Sequence, residues 1–365
     1  MLYLGLMSGT SMDAVDVALV EFDQHASLIA YRQYPINEQL KHKIRPVNAS
    51  TSLQDVAEID YRLGELFASS VNRFLLDTNT SAEKVKAIGS HGQTVYHRPA
   101  SDWQTSIQLG DPNIICARTG ITTVADFRRM DMACAGQGAP LAPAFHRYQF
   151  RSTDINRTVL NIGGIANISN LPAIAEMDIT GFDTGPGNGL LDDWNFMHNK
   201  TAMDKDSNWA KSGSINADLL NRLLDDPYFK LEPPKSTGRD YFNLDWLNDQ
   251  MQEMNIKAVD VQATLLQLSI QTIADSITAT FPGCEEIYAC GGGAQNKTML
   301  ERLQALLPEQ KVMTTASLGI DPDAVEAVTF AWLAYCRITE QLIDLGSITG
   351  ADRKILPGAV YKFGS

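Results

Sequence analysis

Residues 2–22 read LYLGLMSGTSMDAVDVALVEF and predict the pattern of a strand, a tight turn and a second strand. The first predicted strand covers Tyr3–Leu6, and alternating apolar side chains mark Val15–Glu21 as the second. A third strand over residues 28–34 extends this meander. A helix capped by Ser52 then runs to about Leu76 with one apolar face. Strands first and helices interleaved later predict an α/β protein with a mixed sheet flanked by helices.

The opening theme returns in the middle of the chain. From Arg157 the sequence predicts a strand, TVLNI, then the turn Gly163-Gly164 and a second strand, IANISNL. Strands at Glu286–Cys290 and Lys311–Thr314 follow, separated by a helix that begins near Asn296. The two segments share a predicted pattern of strands and turns more than they share residues. This repetition predicts two related lobes.

The length of the chain also favours two lobes. A chain of 365 residues exceeds the size at which one hydrophobic core keeps growing. We place the N-terminal lobe at residues 1–130 plus 346–365 and the C-terminal lobe at residues 131–345. A last helix is predicted from about Asp323 to Leu345, inside the C-terminal lobe.

Composition excludes several classes of function. A formal charge of −13 opposes nucleic-acid binding, which depends on clustered Lys and Arg. The apolar stretches are shorter than the roughly 20 residues that span a bilayer, so no membrane partner is expected. Five cysteines without a C-x-x-C pair indicate reduced thiols, and we expect a cytoplasmic location.

Three glycine-bearing turns each follow an apolar strand, at Ser8–Ser11, Gly163-Gly164 and Gly291–Gly293. Without side chains, backbone N–H groups can approach a phosphate or a ribose closely. Each turn taken alone is better explained as a hairpin with positive φ. Three such turns at strand ends, spread over both predicted lobes, instead favour a nucleotide site. The sequence contains no G-x-x-x-x-G-K-[ST] and no strand, G-x-G-x-x-G, helix unit, which argues against the P-loop and dinucleotide-binding classes.

Asp183 stands in the turn FDTGPGN between a predicted strand, Met177–Phe182, and a predicted helix. An aspartate at a strand end in a Gly-Pro-Gly turn is suited to act as a base. The alternative is a helix cap or an Asx turn, a frequent role of Asp before Gly.

Other candidate residues follow strand ends. His91 and Gln93 lie in SHGQT and offer hydrogen bonds to sugar hydroxyl or amide groups, or they are packed loop residues. Asp126 and Arg128 lie in ADFRR, where Arg128 is suited to bind a carboxylate, or where the charges form a solvated cluster. Glu326 lies beside an apolar helix face, which predicts a paired or functional carboxylate. No zinc spacing is present, and the metal ligands stay unknown.

A serine hydrolase is the first rival, because Gly9-Thr10-Ser11-Met12 resembles the sequence around the nucleophile of subtilisin-like proteases. That arrangement needs Asp and His upstream of the serine, and none of the residues before Ser11 is Asp or His.

Taken together, the chain resembles the anhydro-N-acetylmuramic acid kinases of the acetate-and-sugar-kinase, heat-shock ATPase and actin superfamily. The resemblance covers nearly the whole chain and is carried by GLMSGTSMDAVD, SHGQT, ADFR, NIGGIAN, FDTGPGN and DPDAVEA. It implies two actin-like (ribonuclease H-like) lobes with mixed sheets flanked by helices and a nucleotide cleft between them. It also implies ATP and Mg²⁺ as cofactors and a homodimer.

The resemblance implies a role for each motif. A first phosphate loop would comprise Gly9, Thr10, Ser11, Met12, Asp13, Ala14, Val15 and Asp16. A second phosphate loop would comprise Gly163 and Gly164, and an adenosine turn Gly291, Gly292 and Gly293. Met7-Ser8 stands where many superfamily members carry an acidic residue, so the Mg²⁺ contact is open, with Asp13 as a candidate.

The activity implied is transfer of the γ-phosphoryl group of ATP to O6 of 1,6-anhydro-N-acetylmuramic acid while water opens the anhydro ring. Asp183 matches the family's base, and Glu326 matches the carboxylate that helps position sugar and water. The products would be N-acetylmuramic acid 6-phosphate and ADP, in recycling of cell-wall sugars. The rivals are a conventional hexose or amino-sugar kinase and an actin-like binding protein that uses ATP as a switch.

Overall fold

The computed structural model describes residues 1–9 and 12–362. Two compact units divide the chain. The terminal unit comprises Met1–Gln149 and Ala324–Ser365, and the central unit comprises Phe150–Asp323. Among the residues described, no helix is long and apolar enough to cross a membrane.

The helices and strands follow in chain order, beginning with residues 1–150: β1 (Leu2–Ser8), β2 (Ala14–Phe22), β3 (Ala26–Pro35), α1 (Glu38–Ile44), α2 (Leu53–Asp77), β4 (Val85–Ser90), β5 (Gln93–Arg98), β6 (Thr105–Leu109), α3 (Pro112–Thr119), β7 (Thr123–Ala125), α4 (Arg129–Ala133) and α5 (Ala142–Phe150). Residues 151–323 contain β8 (Arg157–Ile162), β9 (Ile165–Leu171), β10 (Thr180–Pro186), α6 (Gly189–Asn199), α7 (Asn208–Ser212), α8 (Ala217–Leu224), α9 (Leu244–Gln250), α10 (Ala258–Thr280), β11 (Glu286–Cys290), α11 (Lys297–Leu306) and β12 (Lys311–Thr314). The chain ends with α12 (Val325–Ile338), α13 (Gly346–Thr349) and β13 (Ala359–Tyr361).

The two main sheets share one topology. In the terminal unit the strand order is β3-β2-β1-β4-β7-β13, with β1–β3 antiparallel and β4 and β7 parallel to β1. In the central unit the order is β10-β9-β8-β11-β12, again an antiparallel meander joined to two parallel strands. This is the mixed sheet of the ribonuclease H-like, actin-like fold, so the predicted fold class is confirmed.

Local sequence explains why the elements begin where they do. The Ser52 hydroxyl accepts a hydrogen bond from the Asp55 N–H and caps α2, whose apolar face carries Leu63 and Phe67 into the core. The Asn296 side chain likewise accepts from the Met299 N–H at the start of α11. The sequence predicts the Ser52 cap and a helix that begins near Asn296, and both are confirmed.

The boundary of the units differs from the predicted lobe boundary. The unit changes at 149/150 and at 323/324, whereas the sequence analysis places the changes at 130/131 and 345/346. The last helix explains the difference, because α12 packs backbone to backbone on the terminal sheet. A methyl group on Gly5 of β1 would lie 1.8 Å from the Ala327 carbonyl oxygen, and one on Gly89 of β4 would lie 2.0 Å from that of Phe330. The predicted end of this helix at Leu345 is also wrong, since α12 ends at Ile338.

Candidate active site

Asp183 is the middle residue of β10 (Thr180–Pro186), where the strand is irregular. The sequence predicts a strand over Met177–Phe182 with Asp183 in the turn after it, and this is wrong, because pairing with β9 continues to Pro186. The pairing of β10 with β9 shifts register between Asp183 and Gly185. Gly185 has φ of +139°, and a methyl group there would lie 2.6 Å from a ring carbon of Phe229. Only glycine satisfies both conditions, so the turn sequence Asp-Thr-Gly produces the local change of direction that follows Asp183.

Three backbone and side-chain contacts hold Asp183. Its Oδ2 accepts a hydrogen bond from the Thr237 N–H at 2.9 Å, and its backbone carbonyl accepts one from the Tyr228 hydroxyl at 2.6 Å. Its backbone N–H donates to the Lys235 carbonyl at 3.2 Å. The segment 228–237 therefore braces both the main chain and the carboxylate of Asp183.

The electrostatic setting of Asp183 suits a base. Burial raises the pKa of Asp183 to about 6, and the hydrogen bond from the Thr237 N–H opposes this rise. A carboxyl group with a pKa near 6 is ionised at neutral pH and still binds a proton readily. The alternative interpretation as a helix cap is wrong, because Asn188 is the residue preceding α6 and its side chain makes no cap hydrogen bond.

The Gly163-Gly164 turn packs against the end of the Asp183 turn. The Gly163 carbonyl accepts from the Asn188 N–H at 2.8 Å, and the Gly164 carbonyl accepts from the N–H groups of Gly187 and Gly189 at 3.0 and 3.1 Å. A methyl group on Gly187 would lie 2.3 Å from the Gly163 carbonyl oxygen. Glycine is therefore required where these two turns meet, at the N-terminus of α6.

The three glycines after β11 have three different surroundings. Gly291 has φ of +75°, and a methyl group there would lie 2.3 Å from Asn161 Oδ1. A methyl group on Gly293 would lie 2.3 Å from Ile162 Cγ2, whereas Gly292 has no atom within 4 Å of that position. The triplet thus packs against the end of β8, which leads directly into the Gly163-Gly164 turn, and leaves the surface of Gly292 open.

The first predicted phosphate loop, residues 9–16, covers the connection between β1 and β2 and the start of β2 in the terminal unit. Thr10 and Ser11 lie outside the described residues. Beside them, the Met12 N–H donates to the Gly9 carbonyl at 3.1 Å, and Met12 has φ of +56°. The Asp13 carboxylate is largely exposed and lies 3.7 Å from Lys41 Nζ.

The second half of that predicted loop belongs to a strand, since β2 already begins at Ala14. Val15 is fully buried in the core. The Asp16 carboxylate accepts hydrogen bonds from the Tyr31 hydroxyl at 2.5 Å and from Gln33 Nε2 at 2.9 Å, both on β3. The side chains of Val15 and Asp16 therefore contribute to packing and hydrogen bonding within the sheet. The predicted phosphate loop extends too far, because its residues from Ala14 onward belong to β2.

Arg128 and His91 form a buried pair after β7 and β4. His91 Nε2 accepts from Arg128 Nε at 3.1 Å and is 2.8 Å from Nη2, while Arg128 Nη1 donates to the Gly138 carbonyl at 2.8 Å. Because a guanidinium can only donate, His91 is neutral with its proton on Nδ1. Burial, followed by the Arg128 charge, holds the pKa of His91 well below 6.5. His91 is therefore occupied in orienting Arg128.

Glu326 lies in the first turn of α12 and is exposed. Burial lowers the pKa of Arg128 to about 10, and the charges of Glu326 and Asp131 oppose that fall. Glu326 is thus close enough to Arg128 to influence it electrostatically. Arg128 and His91 are thus in direct contact in the terminal unit, and Glu326 acts on Arg128 through its charge.

Gln93 has a structural partner at the hairpin. Its side chain is 2% exposed, and its Oε1 accepts from the Ser8 hydroxyl at 2.7 Å. Gln93, which the sequence predicts to contact the sugar, thus connects the start of β5 to the end of β1 through this hydrogen bond.

Asp126 borders a cavity of about 130 Å³ in the terminal unit. Asp126 has φ of +60°, and its carboxylate accepts from Arg129 Nε and Nη2, each at 2.7 Å. The cavity is also lined by Ser90, Ser106 and Gln108. Within the described part of the chain, the buried Ser90 hydroxyl has no hydrogen-bond partner. A polar cavity of this kind suits a small polar ligand.

Comparisons with known proteins agree over the whole length of the chain. A family model described as anhydro-N-acetylmuramic acid kinase matches residues 1–363. The chain belongs to the anhydro-N-acetylmuramic acid kinase family. The protein of that name from Photobacterium profundum is 47% identical over 369 residues, covering 98% of each chain. That from Vibrio cholerae is 48% identical over 364 residues, covering 99% of this chain and 98% of the relative.

The backbone of one solved structure is also similar to that of this chain. Component A of (R)-2-hydroxyglutaryl-CoA dehydratase from Acidaminococcus fermentans covers 93% of this chain and 99% of its own, with a TM-score of 0.48 and 12% identity. That likeness is too distant to bear on function.

For a member of this kinase family, the question of Mg²⁺ depends on carboxylates near the phosphate turns. The described residues contain no group of three or more His, Cys, Asp or Glu side chains that could hold a metal ion. Mg²⁺ at kinase sites is commonly held by one or two carboxylates together with phosphate oxygens and water. The exposed Asp13 carboxylate beside the hairpin fits that chemistry.

The segment of this kinase that contacts Asp183 was not predictable as a helix or strand from the sequence. The connection between α8 and α9 contains Tyr228, Lys235 and Thr237 and has no long helix or strand. Its apolar residues therefore follow neither the helical nor the strand periodicity. The available signal was KSTGRDYFN at residues 235–243, a small-residue turn followed by aromatic residues. The hairpin of β5 and β6 was also missed, because the sequence there is polar.

Proposed function

We propose that this protein transfers the γ-phosphoryl group of ATP to O6 of 1,6-anhydro-N-acetylmuramic acid while water opens the anhydro ring. The products are N-acetylmuramic acid 6-phosphate and ADP, and the reaction serves recycling of cell-wall sugars. One observation carries the proposal beyond family membership. Asp183 is a partly buried carboxylate with a pKa of about 6, held by hydrogen bonds from Thr237 and Tyr228 on a strand whose following turn packs against Gly163-Gly164.

The substrate explains why a base is needed. O6 of the anhydro sugar has no proton, because it is bonded to the anomeric carbon C1. Water therefore attacks C1, the C1–O6 bond breaks, and its electron pair forms the new bond from O6 to phosphorus while ADP leaves. The water gives up one proton, and a carboxylate suits an anomeric centre with oxocarbenium character. We assign that proton to Asp183.

The residues of the terminal unit are assigned to the sugar. Arg128 is held by His91 and by the Gly138 carbonyl, and its remaining N–H groups suit the lactyl carboxylate of the substrate. Glu326 is exposed near Arg128 and suits hydrogen bonding to a sugar hydroxyl or to the attacking water. The cavity beside Asp126 provides Ser90 and Gln108 as further hydrogen-bonding groups.

The glycine turns are assigned to ATP. Backbone N–H groups of the turns at Gly9 and Gly163-Gly164 suit the phosphates, and the N-terminus of α6 adds a favourable dipole. The open surface at Gly292 suits the flat face of an adenosine. Bound Mg²⁺ would neutralise phosphate charge, and Asp13 is the carboxylate that we assign near it. Phosphoryl transfer otherwise depends mainly on in-line positioning.

Release of ADP separates this function from its rivals. We expect ADP to form only when 1,6-anhydro-N-acetylmuramic acid is present, with one ADP for each sugar 6-phosphate. Equal turnover with sugars that carry a free 6-hydroxyl would favour a conventional sugar kinase. ADP release at the same rate without any sugar would favour an ATP switch.

We further propose that the enzyme is cytoplasmic and acts as a homodimer. The described cysteines are free thiols, which suits a reducing compartment. Sedimentation at micromolar concentration tests the dimer, since a monomer alone would contradict it.

A further inference from the structure

The segment 226–246 folds around one buried carboxylate. Asp226 is 7% exposed, and its Oδ1 accepts hydrogen bonds from the Tyr228 N–H at 2.9 Å and the Tyr241 hydroxyl at 3.0 Å. Its Oδ2 accepts from Trp246 Nε1 at 2.9 Å. A buried carboxylate with three donors holds those donors firmly, because losing any of them exposes an uncompensated charge.

Aromatic rings surround the same carboxylate and close the segment. Phe242 is 1% exposed and lies at the centre of the group. Its ring meets those of Tyr228 and Trp246 edge to face, at centroid distances of 5.4 and 5.0 Å, and stacks on that of Phe229 at 5.6 Å. We call the group formed by Asp226, Tyr228, Phe229, Tyr241, Phe242 and Trp246 the aromatic clamp.

The clamp contacts the strand of Asp183 at two points. The Tyr228 hydroxyl donates to the Asp183 carbonyl at 2.6 Å, and the Phe229 ring fills the space beside Gly185. Burial, followed by the charge of Asp183, raises the pKa of Tyr228, so its hydroxyl keeps the proton that it donates. The clamp therefore determines where the main chain of Asp183 lies, without contacting its carboxylate.

The carboxylate of Asp183 is left with one committed oxygen and one open oxygen. Oδ2 accepts from the Thr237 N–H at 2.9 Å. Among the described residues, no donor makes a hydrogen bond to Oδ1. A base needs an uncommitted lone pair directed at the water from which it takes a proton.

We propose that Tyr228 is a positioning residue that, with the rest of the aromatic clamp, fixes Asp183 so that Oδ1 accepts the proton of the attacking water. The inference rests on the proposed function, in which Asp183 is the base. In this proposal Tyr228 acts through its hydrogen bond to the Asp183 main-chain carbonyl and not by contacting sugar or nucleotide. Loss of its hydroxyl leaves the base present but misplaced, an error that lowers turnover more than binding.

The test is Tyr228→Phe, made in the wild-type enzyme and in an Asp183→Asn background. In the wild type we expect kcat to fall roughly 10- to 100-fold, with KM for ATP unchanged. In the Asp183→Asn background we expect no further fall, because no base is left to position. Tyr34→Phe is the matched control, since it removes a tyrosine hydrogen bond to the exposed Asp77 and should leave kcat unchanged in both backgrounds.

The pH profile gives a readout that a general loss of stability would not change. Burial raises the pKa of Asp183. Because loss of the Tyr228 bond should loosen the packing around Asp183 and admit water, we expect Tyr228→Phe to move the acid limb of kcat/KM to lower pH. Tyr241→Phe is a second variant, in case Tyr228→Phe folds poorly. It removes one of the three donors to Asp226 and should lower kcat less, again only when Asp183 is present.

Two results would overturn the inference on the clamp. One is an equal fall of kcat in both backgrounds, and the other is no fall in the wild type with an unmoved acid limb. Near-normal turnover of Asp183→Asn alone would instead overturn the assigned base, and the clamp's role with it. Thermal unfolding of each variant shows whether a fall of kcat reflects loss of folded enzyme.

Discussion

At the scale of single residues, removing the charge of Asp183 tests its assignment as the base. Asp183→Asn keeps the size of the side chain and an acceptor for the Thr237 N–H. We therefore expect normal folding and ATP binding, with turnover lowered by roughly 10²–10⁴, the usual contribution of a positioned base. Steady-state kinetics together with ATP titration measure the two effects. Near-normal turnover in a folded variant would remove Asp183 from the mechanism.

The pKa of the same residue predicts a pH dependence. The base works as the carboxylate, and burial raises its pKa to about 6. As pH falls through that value Asp183 becomes protonated, so kcat/KM should decrease about tenfold for each further pH unit. Asp183→Asn should lack this limb. A profile that is flat from pH 7 to 5 in the wild type would contradict the assignment.

Single residues also show where sequence reasoning stops. Asp183 was identifiable as a candidate because FDTGPGN places a carboxylate beside the glycines that make the strand irregular. His91 and Gln93 were identifiable as polar residues at a strand end, but their partners were not. Hydrogen bonds from Arg128 and Ser8 join residues 37 and 85 positions apart, and no local pattern encodes such pairs.

At the scale of elements, the glycine triplet after β11 offers a matched pair of substitutions. Gly293→Ala places a methyl group 2.3 Å from Ile162 Cγ2, so we expect a loss of about 1–3 kcal/mol in the free energy of unfolding. Gly292→Ala meets no atom within 4 Å and should unfold like the wild type. If adenosine lies on Gly292, that variant should nevertheless bind ATP more weakly.

Thermal unfolding without ligand and KM for ATP separate these effects. An unchanged KM for ATP in Gly292→Ala would contradict the assigned adenosine turn. An unchanged stability of Gly293→Ala would contradict the packing of the triplet on the end of β8.

Helices and strands whose apolar residues recur at regular spacing were predictable from the sequence. Elements whose position depends on tertiary packing were not. The strands of both meanders and the helix α2 follow from alternation, from apolar spacing and from a serine cap. The hairpin of β5 and β6 is polar and lacked that signal. The end of α12 was misjudged because apolar spacing continues past Ile338, where the helix stops.

At the scale of the whole molecule, the repeated sheet topology gives each unit a turn to which we assign phosphate binding. In each unit a glycine turn joins the first two strands of the meander, at Gly9 in one and at Gly163-Gly164 in the other. The echo between the two sequences predicted this duplication. The assignment of α12 to the terminal unit was not predictable, because the contacts of Gly5 and Gly89 with its backbone are visible only in the folded chain.

The central claim is that water opens the anhydro ring while O6 receives the phosphoryl group, and oxygen labelling tests it most directly. In ¹⁸O-labelled water, we predict that the label enters the anomeric oxygen of the sugar 6-phosphate and that the transferred phosphate carries none. The first-formed sugar should be the α-anomer, because water attacks opposite the departing bridge. The sugar must be analysed before its anomeric oxygen exchanges with solvent. Label in the phosphate, or an unlabelled anomeric oxygen, would contradict the account.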